Sequence, residues 1–466
     1  MSNEDALTKK VVVRRKRRRR RRRMVLATII LLPLIYVVYM ALLARPANTS
    51  GYPETIEELN AYYESVPAEE NAAPLYEKAF AVQSGTFDYA TDLDTWKHNN
   101  DRSDVKFEDA LPEGFLDFLR NMLAENNEAL DLLHQAAARK GCRFTIDLGQ
   151  SDVNLILHPN VKSLNQYMDG FQQSGELLRV QARIAAETGD ADAAVSAILA
   201  ALAIPRALAP IPDIGAQGQR NRQAYASTYH VEIILNRMQL TDDALSALQA
   251  VVADLEQPEA FTRGIIGARC QGLACFDDPN YARGFRLVGV FTESFVREIS
   301  PIDSDIVFNK AYRWSGFRNM DRNAFLDITD YAIAASRMPI HEAIRIKDFD
   351  KFMSWRSPIT RMITPSIEPF FKEQAAVAAR IRLTSAALAI ERYRLAHGQL
   401  PESLAALVPE FLPQSLNDPF DGNPLRYTMT EAGYTLYSIG PDQNDDGGKT
   451  PLTRGGGDII FSMERQ

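Results

Sequence analysis

An acidic run with the sequence DQNDDG could bind a cation. Its residues Asp442, Asn444, Asp446 and Gly447 fit positions 1, 3, 5 and 6 of an EF-hand loop. Position 12 is Thr453 and not the bidentate Glu of that loop, so an EF-hand proper is excluded. Hard carboxylate and carbonyl oxygens at two-residue spacing favour Ca²⁺ over softer metals. The alternative is a solvated acidic turn that holds no ion.

Other chemistry finds little support in the sequence. The string GGKT at Gly447–Thr450 is not a phosphate-binding loop, because Gln443 stands where that motif requires its first glycine. No G-x-S-x-G, H-E-x-x-H or G-x-G-x-x-G motif occurs in the chain. The histidines are dispersed and are predicted to be surface or core residues: His98, His134, His158, His230, His341 and His397. We therefore predict no catalytic or cofactor-binding residue, although catalytic residues can also lie far apart in sequence.

Three cysteines are present, and Cys270 and Cys275 are close enough in sequence to interact. A zinc site is excluded because the chain offers no second Cys or His pair near them. Either a local Cys270–Cys275 disulfide or two free thiols in a helical segment fits the pattern. Cys142 has no partner in either case.

The C-terminal part changes from helical periodicity to short strands after residues 397–398. Strands are predicted at Leu425–Met429 and Tyr434–Ile439, with a hairpin turn at residues 431–433. A small antiparallel sheet that packs on the preceding helix is expected.

An ordered set of motifs in this part resembles the C-terminal part of the major pseudopilin of type II secretion systems. The resemblance covers Ala386 to Phe461, about one sixth of the chain. The first motif is a Y-R-x-x-x-G-x-x-P step, formed by Tyr393, Arg394, Gly398 and Pro401. The second is a D-P-F turn, formed by Asp418, Pro419 and Phe420. The third is an S-x-G-x-D loop closed by a late Asp-Ile, formed by Ser438, Gly440, Asp442, Asp458 and Ile459.

The resemblance implies that the last loop binds calcium, with Asp442 and Asp458 matching the carboxylate ligands of that family. Together with the spacing above, it gives a predicted ligand set of Asp442, Asp458, Asn444 and Asp446. The chain departs from a pseudopilin at its N-terminal end, where the apolar segment lacks an acidic residue and lies more than three hundred residues before the module. We therefore expect a reused module and not a pilus subunit.

The middle of the chain is predicted to form helical hairpins. Leu177–Glu187 and Ala191–Ile204 flank a Gly189-Asp190 turn, and Tyr225–Met238 precedes Asp242–Leu255, which Thr241 caps. The pattern resembles half of a tetratricopeptide repeat, but the two units are 51 residues apart and not 34, so irregular hairpins are expected.

Further helices are predicted on both sides of these hairpins. They are Thr55–Tyr63, Asn71–Val82, Leu111–Lys140 (with Phe118 in its predicted buried set), Asn323–Ile344 (kinked or broken at Pro339) and Pro369–Ala396. The last is apolar on two sides, with Arg380, Glu391 and Arg394 in a polar strip between them, which indicates packing on two sides. Residues 84–109 are predicted to be a surface loop, residues 143–156 to hold a short strand, and residues 259–317 to be irregular.

Met24 to Ala44 is a run of twenty-one residues without a charge, long enough to cross a bilayer. Twelve Lys or Arg before it, against Glu4 and Asp5, give the tail a net charge of +10, so the remaining chain carries -18. The positive-inside rule places this tail in the cytoplasm. A cleaved signal peptide is disfavoured, since its apolar region has about 7–15 residues.

The predicted fold class is mainly α, with one N-terminal transmembrane helix, a helical ectodomain of hairpins and a small C-terminal α+β module. The predicted domains are a basic tail (1–23), a membrane helix (24–44), a linker (45–53), the ectodomain (54–370) and the pseudopilin-like module (371–466). Expected partners are the lipid bilayer, anionic headgroups at the tail and a protein on the ectodomain, but no nucleic acid, which the acidic body repels. The predicted function is interaction or scaffolding at the bacterial inner membrane, near a secretion or pilus-like system; a membrane-tethered hydrolase is the alternative.

Overall fold

The computed structural model describes residues 31–36, 38–39, 51–63, 65–100, 109–144, 165–277, 317–346, 357–364, 367–449 and 457–464. Within these ranges the protein is mainly helical and carries a three-stranded antiparallel sheet, which confirms the predicted fold class at this level. The basic tail, the predicted strand beyond Phe144 and residues 278–316 lie outside the described residues.

The described helices from residue 51 onward are numbered in chain order. They are α1 (Ile56–Tyr62), α2 (Ala73–Val82), α3 (Tyr89–Asn99), α4 (Glu113–Glu125), α5 (Asn127–Ala137), α6 (Asn165–Thr188), α7 (Ala191–Leu208), α8 (Ile214–Arg237), α9 (Asp242–Ala253), α10 (Pro258–Asp277), α11 (Phe317–Ser336), α12 (Ile340–Ala343), α13 (Pro358–Ile363) and α14 (Ile367–His397). A 3₁₀ turn follows at Leu404–Leu407.

Local capping signals set several helix ends as predicted. Asp190 accepts a hydrogen bond from the Ala193 amide at the start of α7, and Thr241 accepts one from the Ala244 amide at the start of α9. Gly189 adopts φ +78°, a left-handed conformation that glycine takes without steric cost. The two predicted helix–turn–helix units are therefore confirmed.

The helices form one layered body in which α6 packs on α7, α7 on α8, and α8 on α14. Helix α14 also contacts α9 on its helical side and both β2 and β3 on the other. Its Ala and Ile side chains are buried on both sides, so the prediction of two-sided packing is confirmed. One continuous apolar core extends from Leu59 on α1 to Met463 in the sheet.

The helices depart from their prediction in three places and agree with it at Pro339. Residues 84–109, predicted to be a surface loop, contain helix α3. Asp88 caps this helix, and its residues Tyr89 and Leu93 are buried. Phe118, predicted to be buried, is 43% exposed. Residues 259–317, predicted to be irregular, begin within the regular helix α10. The predicted break at Pro339 is confirmed, since α11 ends before it and α12 begins after it.

The sheet has the order β1 (Arg426–Met429), β2 (Gly433–Ser438) and β3 (Ile459–Glu464), and both pairs are antiparallel. β1 and β2 are the predicted hairpin, which closes where the Thr430 amide donates to the Gly433 carbonyl. β3 was not predicted as a strand. It pairs with the whole of β2, which makes β2 the central strand.

Only part of the predicted membrane segment is described. Residues 31–36 and 38–39 are helical, and all of their side chains are exposed. By length and composition, α7 is the helix from the described residues that could also cross a bilayer; however, 61% of it is buried within the folded body. A buried core helix passes the same test of length and apolarity, so α7 is assigned to the core.

Candidate functional site: the C-terminal acidic loop and its support

The fully buried carboxylate of Asp418 anchors the loops of the C-terminal module. One oxygen, Oδ1, accepts hydrogen bonds from the Phe420 amide (2.9 Å) and the Ser438 hydroxyl (2.8 Å). The other, Oδ2, accepts from the Ile439 amide (2.9 Å) and from Arg426 (2.6 Å). Four donors thus satisfy a buried charge, which would otherwise be costly. The D-P-F turn and the S-x-G loop, separate motifs in sequence, are joined through this side chain.

Arg426 links Asp418 to the acidic loop. Its guanidinium pairs with Asp421 at 2.5 Å, and its Nε lies 3.6 Å from Asp445. Burial opposes ionisation of Asp421, but the hydrogen bonds from Arg426 and Asn423 outweigh it, so the pKa of Asp421 lies below its usual range. The positive charge of Arg426 therefore lies close to three carboxylates at the base of the loop, those of Asp418, Asp421 and Asp445.

The predicted ligands Asp442, Asn444 and Asp446 lie on the same turn. Asp442 accepts hydrogen bonds from the Asn444 amide (3.1 Å) and, across the loop, from the Gly457 amide (2.8 Å). The Asn444 side chain donates to Asp446 at 3.1 Å. The side-chain oxygens are thus held in a compact turn, as their spacing predicted.

Asp458 joins this turn from the other side of the loop. Its oxygens accept from the Gly448 amide (2.7 Å) and the Asp446 amide (3.4 Å). Burial, aided by the negative charges of Asp445 and Asp446, raises the pKa of Asp458 above its usual range despite these amides. The structure therefore brings all four predicted ligands to one loop.

Gly440 allows the two sides of the loop to approach closely. Its φ is +68°, and a Cβ at this position would lie 2.0 Å from the Gly457 carbonyl oxygen. Any larger residue would push the backbone beside Asp458 away from the turn that holds Asp442. The glycine of the S-x-G motif is needed for this close approach.

The donor set fits Ca²⁺ in kind, because its side-chain donors are hard oxygens. In the part of the chain that the structure describes, however, no three His, Cys, Asp or Glu side chains converge into a metal-binding group. Hydrogen bonds to backbone amides occupy part of the carboxylate surface, and loop residues 450–456 lie outside the description. Calcium binding here stays a prediction.

A buried polar network, which sequence reasoning missed, fixes the sheet to the helical body. Glu232 on α8 pairs with Arg380 on α14 and accepts from the Ser462 amide at 2.8 Å. Arg380 donates to the Ile460 carbonyl at 2.7 Å, and Asn236 both donates to and accepts from the backbone of β3. Side chains from two helices thus cover the free edge of β3, a position where exposed backbone groups promote aggregation. The sequence signal that could have indicated this network is the i, i+4 spacing of Glu232 and Asn236, which places both polar side chains on one face of α8.

His230 is a core residue, one of the two alternatives predicted for the histidines. Burial, together with the nearby charge of Arg179, lowers the pKa of His230 to about 3, so the ring is neutral near pH 7. Its Nδ1 lies 2.9 Å from the Ala226 carbonyl, which can only accept, so Nδ1 carries the proton. The ring is poorly suited to general base catalysis because it is buried and its low pKa makes it a weak base.

All three cysteines are buried thiols, and Cys270 and Cys275 do not form the disulfide that was one of the two predicted alternatives. Burial raises the pKa of Cys270 to about 12 and also raises that of Cys142. Thiols in this state are weak nucleophiles, since the thiolate is the reactive form.

Comparison with protein-family models, curated proteins and solved structures finds nothing that matches this chain. The resemblances to a pseudopilin and to tetratricopeptide-like hairpins therefore stay predictions from sequence. The hydrogen bonds around Asp418 give the pseudopilin-like motifs a physical role that does not depend on ancestry.

Proposed function

We propose that this chain is a single-pass membrane protein of the bacterial envelope that presents its helical body and C-terminal sheet outside the cytoplasmic membrane as an interaction or scaffolding unit. The observation that carries the proposal is the exposed apolar helix at residues 31–36 and 38–39. Leu32 and Leu34 are each 59% exposed, and Ile35 is 54% exposed. Exposed apolar side chains of this kind are unfavourable in water and favourable in lipid.

Charge supports the proposed orientation. The arginine-rich tail directly precedes the apolar run, and positively charged flanks are retained on the cytoplasmic side. The tail also suits anionic lipid headgroups, each basic residue near the membrane surface contributing about 1 kcal/mol. The acidic body would be repelled by the same headgroups, which favours holding it away from the bilayer.

A scaffolding role is supported by the way the C-terminal module joins the helical body. Glu232, Asn236 and Arg380 bind the edge of β3, and the module shares its apolar core with the helices. The described sheet is therefore a fixed part of the body and not a separately tethered unit. We propose that Ca²⁺ stabilises the adjoining loop through Asp442, Asp458, Asn444 and Asp446.

Protease protection in bacterial cells tests the topology. With a tag at each end of the full chain, externally added protease should remove the C-terminal tag from spheroplasts and leave the N-terminal tag intact. A matched variant in which residues 14–23 lose their basic side chains should insert in mixed orientation. A C-terminal tag that is protected in intact spheroplasts but digested after lysis would refute the proposal, as would a mature chain that starts beyond Ala44.

A further inference from the structure

A cavity of about 190 Å³ lies where α14 meets the α9–α10 connection and α12. Its walls are largely apolar, and Phe261 and Phe371 meet there edge to face with their ring centroids 5.2 Å apart. An apolar cavity of about 150 Å³ is large enough for benzene. The space therefore fits a ligand whose apolar part is about the size of one ring.

One wall of the cavity carries a buried cation. Arg220 on α8 is 3% exposed and donates through Nη2 to the Leu255 carbonyl, but its Nε has no hydrogen-bond partner among the described residues. No described carboxylate lies within ion-pair distance of it. Burial, with repulsion from Arg263, lowers the pKa of Arg220 to about 10 despite attraction from Asp254. Asp254 acts on the guanidinium only from a distance, and Glu256 in the same lining is paired with Arg382, so Arg220 has no direct ion pair among the described residues.

A second donor of the cavity lining also lacks an acceptor. Gln374 on α14 lines the cavity, and its Nε2 is buried without a partner in the described structure. A buried donor without an acceptor destabilises the fold, because it has lost its hydrogen bonds to water and gained none in the protein. The other cationic group of the lining, Arg382, is already paired with Glu256 at 3.0 Å and bonded to the Asn417 carbonyl. Among the described lining residues, the shortage of acceptors therefore falls on Arg220 and Gln374 and not on Arg382.

We propose that this cavity binds a small organic acid, with its carboxylate held by Arg220 and Gln374 and its apolar body against Phe261 and Phe371. A carboxylate supplies both the missing charge and the missing acceptors, and pairs well with a guanidinium. An uncharged molecule of the same shape fills the space but leaves the cation uncompensated. The site is thus expected to select for the anion.

Benzoate and benzyl alcohol, which share a ring but differ in charge, test the site on the full chain purified in detergent. Isothermal titration calorimetry should give a dissociation constant at least about tenfold lower for benzoate, because a hydrogen bond to a charged group contributes about 1.5–3 kcal/mol. Equal affinities, or no benzoate binding at millimolar concentration because the cavity holds only water, would overturn the proposal.

Two variants and a control locate the site. Arg220→Gln should remove the preference for benzoate, whereas Arg206→Gln, which alters another arginine that donates to a backbone carbonyl, should retain it. Ala378 lines the cavity, so Ala378→Leu should fill it and abolish binding of both ligands even if Arg220→Gln does not fold. Unchanged benzoate affinity in Ala378→Leu, or in a folded Arg220→Gln variant, would place the binding elsewhere.

Discussion

Replacing Asp418 with asparagine tests whether this side chain holds the C-terminal module together. The new amide group keeps one oxygen, so in either orientation two of the four donors around it face an NH₂ group and lose their acceptor. At about 1–3 kcal/mol for each buried donor left unpaired, the free energy of unfolding should fall by about 2–6 kcal/mol. Loss of the buried charge opposite Arg426 acts in the same direction.

Urea unfolding of the full chain in detergent, followed by circular dichroism, measures this change. Asp445→Asn is the matched control: it is the same substitution opposite the same arginine, at a side chain that is 50% exposed. Exposed ion pairs contribute about 0–1 kcal/mol, so the control should stay within that range. If Asp418→Asn costs no more than Asp445→Asn, the four hydrogen bonds do not link the D-P-F and S-x-G motifs energetically.

Three further outcomes are expected. Calcium at one hundred times its dissociation constant should raise the free energy of unfolding of the full chain by about 2.7 kcal/mol and therefore raise its melting temperature relative to chelator. Asp442→Ala should remove the difference, and identical melting with and without chelator would sink the calcium proposal. The free energy of unfolding should fall as pH drops from about 6.5 towards 3, because His230 is protonated in this range only in the unfolded state. In urea titrations at several pH values, His230→Gln should reduce this dependence of stability on pH. Gly267→Ala should lower the free energy of unfolding by about 1–3 kcal/mol, since its Cβ would lie 1.7 Å from the Pro212 carbonyl oxygen. In the control Gly218→Ala the nearest atom is 3.6 Å from the Cβ, so thermal melting should show no loss of stability.

Sequence patterns predicted those elements whose signals are local. The caps Asp190 and Thr241 lie within three residues of the amides they bind, so reading the chain in order was enough to place α7 and α9. The β1–β2 hairpin was likewise visible in its turn and alternating residues. Helix α3 was missed because its surface is polar and only Tyr89 and Leu93 are buried, which leaves little periodicity to detect.

The features that sequence reasoning missed depend on distant partners. Arg380 was predicted to lie in a polar strip on α14, but it is 1% exposed because its partner Glu232 comes from α8, 148 residues away. The burial of Arg220 likewise depends on helices brought together only by the fold. For the acidic loop, spacing identified the residue types and their proximity, but whether an ion completes the loop depends on geometry that spacing does not encode.

The attachment of β3 to α8 has a consequence for biosynthesis. The Ser462 amide reaches Glu232 across 230 residues of chain. At about 5–20 residues per second, a ribosome needs roughly ten to fifty seconds to add that length. Throughout this interval the growing polypeptide exposes the polar groups of Glu232 and Asn236 on α8. Once β2 has been made, it also exposes an unpaired strand edge, and β3 later covers both. We expect products that stop short of β3 to keep those surfaces open and to be removed by cellular proteases, so that late translation serves as a check on completeness.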